Sequence, residues 1–178
     1  KTGTLTKGNP EVTDLKPIGR TDADSLLRLA AIAEKGSEHP LGEAIVRKAE
    51  EKKSRIPDGN NYETVAGKGI RVSYLNKPIF VGNRLFMKEL GFKTEELELD
   101  IQKLEEQGKT TVIVAFGNRI IGLIGIADTV KPYSKEAVQV LRKMKIDVWM
   151  VTGDNERTAR AIAKEVGIEN VMSEVLTQ

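Results

Sequence analysis

Two short glycine-containing turns sit at opposite ends of the 178-residue sequence: Lys1-Thr2-Gly3-Thr4-Leu5-Thr6 at the start and Met150-Val151-Thr152-Gly153-Asp154-Asn155 near the finish. Each reads as the exit of a buried strand into a polar turn, the place where an open α/β sheet puts groups that handle phosphate. A fold that uses both must bring the chain ends together, so the middle reads as an insertion between two halves of one site. From Asp128 onward strand and helix alternate, with helices expected at 132–144 and 156–166 and strands at 147–151 and 170–172. That order predicts right-handed βαβ crossovers and a parallel, Rossmann-like sheet.

The middle has a different grammar. A strand is expected at 10–18, then a helix capped by Thr21-Asp22 and running to about 35, with Leu26, Leu29, Ala30 and Ala33 on one face. Pro40 suits the first position of a second helix reaching about 53. Strands follow at 63–65, 69–75 and 78–81, the last two joined by a tight turn at Asn76-Lys77, then helices at 83–90 and 94–107. Residues 110–116 and 119–127 form a hairpin around Gly117-Asn118, apolar and β-branched on both arms. The insertion is therefore expected to be α+β with an antiparallel sheet.

Composition narrows the partners. Lys and Arg total 28 against 26 Asp and Glu, a net charge of +2, and no basic stripe with interleaved aromatics points to nucleic acid. Without cysteine there is neither a disulfide nor a thiolate metal site in these residues. The most apolar stretch, 120–127, falls far short of the roughly 20 residues that span a bilayer.

A second constellation lies inside the insertion: Glu34, then Ser37-Glu38-His39-Pro40-Leu41, Gly67-Lys68-Gly69-Ile70 and Val81-Gly82-Asn83. An adenine site needs an apolar slot, one or two groups on the base edge, and glycines where backbone approaches ring or phosphates closely. These residue types supply all three. Taken singly, a lone histidine is more often a cap, Gly-Lys-Gly a turn, Thr-Gly-Asp a helix-capping surface turn, and Asp128 before Pro132 a strand-to-helix junction.

Together these motifs resemble P-type ion-transporting ATPases, whose Asp-Lys-Thr-Gly-Thr-Leu-Thr segment carries a phosphorylated aspartate and whose Thr-Gly-Asp turn grips the phosphoryl group. Ser37-Glu38-His39-Pro40-Leu41 is similar to the hallmark of the heavy-metal branch, and 126–132 together with Val81-Gly82-Asn83 look most like copper exporters. The resemblance covers essentially the whole chain. It implies a haloacid-dehalogenase-like phosphorylation domain at 1–17 and 127–178, incomplete here, with a nucleotide-binding domain inserted at 18–126. In that reading Glu34, His39, Gly67, Gly69, Ile70, Gly82 and Asn83 line the ATP pocket. Lys1, Thr2, Thr152, Gly153 and Asp154 handle the phosphoryl group, with Thr2 also giving oxygen to magnesium, and Asp128 belongs to a hinge motif.

The sequence holds no aspartate ahead of Lys1 and stops short of the family's Pro-x-x-Lys and Gly-Asp-Gly-x-Asn-Asp segments. The expectation is thus a piece of a pump on the cytoplasmic face of a membrane. It would bind ATP and ADP without turnover, beside transmembrane and actuator domains, with the transported ion bound elsewhere. Two other classes stay open: a soluble phosphatase with a cap, and a non-catalytic nucleotide-binding regulator.

Overall fold

Apolar runs on the central strands dictate the larger part of the fold. Strands β1 (Glu11–Pro17), β2 (Asn60–Val65), β3 (Gly69–Tyr74), β4 (Lys77–Gly82), β5 (Thr110–Phe116) and β6 (Arg119–Ala127) make one sheet in the order β1-β6-β5-β4-β3-β2. The pairs β2/β3, β3/β4 and β4/β5 are antiparallel, as the sequence suggested for the insertion. On β5, Val112 and Val114 enter one core cluster while Ile113 and Ala115 enter another; on β4, Val81 and Phe80 divide the same way. Successive side chains point to opposite faces, so the middle of the sheet is buried on both, and β4, β5 and β6 read as continuous apolar runs.

Helices α1 (Ala23–Glu34) and α2 (Pro40–Glu51) fill the first face with Leu26, Leu27, Ala30, Ile32 and Ile45. Helices α3 (Arg84–Glu89) and α4 (Glu98–Glu106) bring Phe86, Met87 and Ile101 to the second. Asp22 caps α1 by accepting from the Ser25 amide at 2.8 Å, as its position before the helix predicts.

Three local expectations shift. The β3/β4 turn is Leu75-Asn76, both at positive φ, because Tyr74 pairs with Lys77 and leaves only those two residues to close a primed hairpin. β2 starts three residues early, at Asn60, with an irregularity before Glu63; this exposed edge carries no apolar alternation to announce it. The helix expected at 94–107 opens with a 3-10 turn at Glu95–Leu97 before α4.

The computed structural model describes residues 1–175, and contacts group them into two units. One holds Glu11–Ile101 and Thr111–Ile126, built on the large sheet; the other holds Lys1–Pro10, Gln102–Thr110 and the residues from Ala127. The strand expected to leave the first motif, β1, instead hydrogen-bonds β6, so the large unit begins at Glu11. Segment Gln102–Thr110 groups with the chain ends because Glu105, 4% exposed, pairs with Arg157 at 3.1 Å and the Thr158 hydroxyl donates to the Lys109 carbonyl at 2.8 Å.

In this second unit β7 (Trp149–Val151) and β8 (Asn170–Met172) pair in parallel beside α5 (Ser134–Lys143) and α6 (Glu156–Val166). Val138, Met150, Ala159, Ile162, Ala163 and Val166 form its core, with Leu5 packed against it. Asn155 caps α6 and Gly167 ends it in the left-handed conformation, the pairing of cap residues that defines both ends.

Candidate functional site

The chain ends meet through charge. Lys1 Nζ lies 2.7 Å from Asp154 Oδ2, with the Lys1 side chain 5% and the Asp154 side chain 16% exposed. The same carboxylate receives the Thr152 hydroxyl at 2.6 Å and, on its other oxygen, the Thr110 hydroxyl at 3.4 Å, while the Asp154 amide donates back to Thr152 Oγ1 at 3.2 Å. Thr152 follows β7, and its amide continues the ladder to the Met172 carbonyl at 2.9 Å. A strand end thus delivers Thr152 and Gly153 to the turn, and Asn155 starts α6 directly behind it.

Asp128 organises the first motif. It accepts the Thr6 hydroxyl at 2.5 Å and the Gly8 amide at 3.1 Å. Around it the two segments are stitched by Lys7 N to Thr129 O at 2.8 Å, Lys131 N to Leu5 O at 2.9 Å and the Ser134 hydroxyl to Leu5 O at 2.8 Å. Lys131 Nζ adds a bond to the Gly3 carbonyl at 2.6 Å. Thr6 is fully buried by this contact, whereas Thr2 is exposed. Among the described residues no three acidic or histidine side chains gather as a metal site.

In the insertion the candidates form two clusters. Gly69 and Gly82 are direct cross-strand partners on β3 and β4, and the Phe86 ring packs over both. A Cβ on Gly69 would strike the Val81 carbonyl and lie 2.8 Å from Phe86 Cδ1; one on Gly82 would sit 2.5 Å from the Lys68 carbonyl and 2.6 Å from the same ring atom. Beside them Gly67 turns the chain at positive φ, where a side chain is strained. Asn83 locks this turn: its Nδ2 donates to the Gly67 carbonyl at 2.9 Å, its amide to the Lys68 carbonyl at 2.9 Å, and its Oδ1 caps α3 through the Phe86 amide. Ile70 is buried beneath, 8% exposed.

The other cluster is the α1–α2 junction. His39 is exposed and is the N-cap of α2, its Nδ1 accepting from the Leu41 amide at 3.3 Å. That bond fixes the neutral ring's proton on Nε2, leaving an outward N–H donor. Glu34 ends α1 with its carboxyl mostly buried; burial pushes it above the ordinary carboxylate range, and the Ser37 hydroxyl bond pulls partly back. Sequence reasoning missed Thr110, Thr6 and Phe86 as supports, since hydroxyl and ring contacts across long separations leave no local periodic signal.

The sequence profile of a family described as haloacid dehalogenase-like hydrolases matches residues 1–178. The chain belongs to that family. Within it, the chain is 49% identical over 177 residues to a probable copper-exporting P-type ATPase of Archaeoglobus fulgidus, covering 99% of this chain and 21% of the relative. It is 44% identical to a copper-exporting P-type ATPase of Bacillus subtilis, covering 100% of this chain and 22% of that one. It therefore spans about a fifth of the length of such relatives. Among solved structures, a zinc-transporting PIB-type ATPase in an E2.Pi state aligns with TM-score 0.72 at 31% identity, over 98% of this chain and 28% of that chain. The catalytic domain of the CPx-ATPase CopB-B, from a study of nucleotide binding, aligns with TM-score 0.72 at 26% identity, over 98% and 59%.

Proposed function

We propose that this haloacid dehalogenase-like chain is the ATP-binding and phosphorylation portion of a heavy-metal P-type ATPase that exports copper. The observation that carries the reading is the meeting of Lys1 and Asp154, which joins the two phosphate-handling motifs from opposite ends of the sequence in one network. Its similarity to copper exporters along its full length supports the cargo. In this reading spanning and actuator segments belong to other parts of such a pump and this portion works at the cytoplasmic face; among the described residues no helix is long and apolar enough to cross a membrane.

ATP is the substrate in this reading. His39 Nε2–H and the Glu34 carboxyl meet the base edge, while Gly67, Gly69, Ile70, Gly82 and Asn83 form the wall beside it. Thr152 and the Gly153 amide face the phosphoryl oxygens, with Lys1 and Thr2 opposite. Because the Thr152 proton is already given to Asp154, the hydroxyl must turn to reach a phosphoryl oxygen. Asp154 is then a positioning residue that sets the cost of that turn. P-type ATPases in general work with ATP and Mg2+; the ion supplies charge neutralisation as the phosphoryl group moves, and Thr2 is the oxygen donor assigned to it here.

Calorimetric titration with ATP tests the reading. The chain binds ATP, and His39→Ala weakens binding by about 1–2 kcal/mol, the scale of a lost hydrogen bond plus packing, without loss of fold. A chain that takes up no ATP, yet hydrolyses a small phosphomonoester, would be a capped phosphatase instead.

A further inference from the structure

Gly42 sits in the first turn of α2, where its backbone needs no special freedom; its φ is not among the positive ones. A glycine inside a helix costs up to about 1 kcal/mol relative to alanine, so something else must occupy the space a methyl group would fill. The nearest atoms to that space are Glu34 Oε2, Ser37 Oγ at 2.6 Å and Ser37 Cβ at 2.8 Å. The Glu34 carboxyl and the Ser37 side chain are what Gly42 makes room for. Ser37 also ties the whole junction: its hydroxyl bonds the Glu34 carboxylate, its oxygen accepts from the His39 amide at 3.3 Å, and its own amide donates to the Glu34 carbonyl at 2.8 Å.

We propose that Ser37 and Gly42 are positioning residues for base recognition, forming a seat that fixes the Glu34 carboxyl relative to the His39 imidazole; this rests on the nucleotide reading above. Adenine offers an amino donor at its six-position, where hypoxanthine offers a carbonyl acceptor. A fixed carboxylate acceptor therefore favours ATP over ITP, and a carboxylate pushed aside does not. Ser37 and Gly42 touch no nucleotide in this scheme; they act through Glu34.

The test compares ATP and ITP affinities by calorimetry for the full 178-residue chain and for Gly42→Ala, Ser37→Ala and Ser37→Thr. The unaltered chain prefers ATP. Gly42→Ala and Ser37→Ala each lower the ATP-to-ITP ratio at least threefold. Melting of Gly42→Ala falls somewhat, because Ser37 Cβ at 2.8 Å is fixed to the backbone and must shift, which offsets alanine's better helix propensity; the ATP-to-ITP ratio is therefore the readout. Ser37→Thr, which keeps the hydroxyl, retains the ratio. An ATP-to-ITP ratio unchanged in both alanine variants overturns the seat while the nucleotide reading stands. Absence of ATP binding by the unaltered chain overturns both, and a Ser37→Ala chain that merely melts earlier with an unaltered ratio assigns Ser37 to stability alone and overturns its positioning role.

Discussion

The chain ends and the insertion hold their candidate residues in opposite ways. At the ends, Lys1, Asp154, Thr152 and Thr110 bond one another by side-chain charge and hydroxyl groups. In the insertion, Gly67, Gly69, Gly82 and Asn83 are joined by strand pairing, a turn and a cap, with a phenyl ring closing over the glycines. A network of complementary charges fails when a group is removed, because its partner is left buried and unpaired. A backbone arrangement fails when an atom is added. The two regions should therefore respond to opposite kinds of substitution.

The sharpest break is Gly69→Val. Its side chain would press on the Val81 carbonyl and the Phe86 ring together, and overpacking against backbone costs about 3 kcal/mol. Hydrogen exchange of the β3 and β4 amides should accelerate accordingly in the full chain. Unchanged protection with lost ATP binding would show instead that the glycine exists for the ligand. Next comes Asp154→Ala, which strands the nearly buried Lys1 ammonium. Asp154 keeps some solvent, so the loss is about 2 kcal/mol, below the ~3–5 kcal/mol of fully buried pairs. Urea unfolding followed at Trp149 reads this unit; a midpoint unmoved by the substitution would mean that the ion pair contributes nothing there.

A smaller effect of the same subtractive kind belongs to Asp128. Asp128→Ala removes acceptors from the Thr6 hydroxyl and the Gly8 amide, while Asp128→Asn keeps one carbonyl oxygen for them. The alanine variant should lose about 1 kcal/mol, the net value of a typical hydrogen bond or slightly more, and the asparagine variant less. Equal losses would mean that the carboxylate charge, and not its acceptor geometry, holds the first motif.

These contrasts also explain what the sequence could announce. The βαβ order after Asp128, the cap Asp22 and Pro40 at the first position of α2 are local signals, and α1 and α2 start close to where expected. The ends' meeting was legible because both turns carry a phosphate-handling pattern, although Asp154's employment as a partner of Lys1 was not. Edge strand β2 was expected only at 63–65, and its start at Asn60 stayed hidden because exposed strands need no apolar alternation. The pairing of β1 with β6 depends on a contact between distant segments that no period records. The glycines of the insertion were legible as places of close approach, but the sequence could not say that Phe86 makes that approach. Ser37 and Gly42 were hidden for a related reason: their meaning lies in the carboxyl they surround.

The finest distinction between the regions is electrostatic and falls on Glu34. Asp154 has an ammonium partner, whereas the influences on Glu34 are burial, which raises its carboxyl, and the Ser37 hydroxyl, which lowers it by less. In the unfolded chain Glu34 titrates at its ordinary value, and in the folded chain it titrates higher. Between those two values the folded state binds more protons, so Glu34 lowers stability as pH rises through the window, and the deficit persists above it. Below the ordinary value both states are protonated and the contribution vanishes. Glu34→Gln stays neutral throughout, so it should melt above the parent chain at neutral pH, by a small margin that closes on acidification. Melting curves across that range read the sign directly. A Glu34→Gln chain that is less stable than its parent at neutral pH would show that the charged carboxylate has a stabilising partner, and the insertion would then be built on charge as the chain ends are.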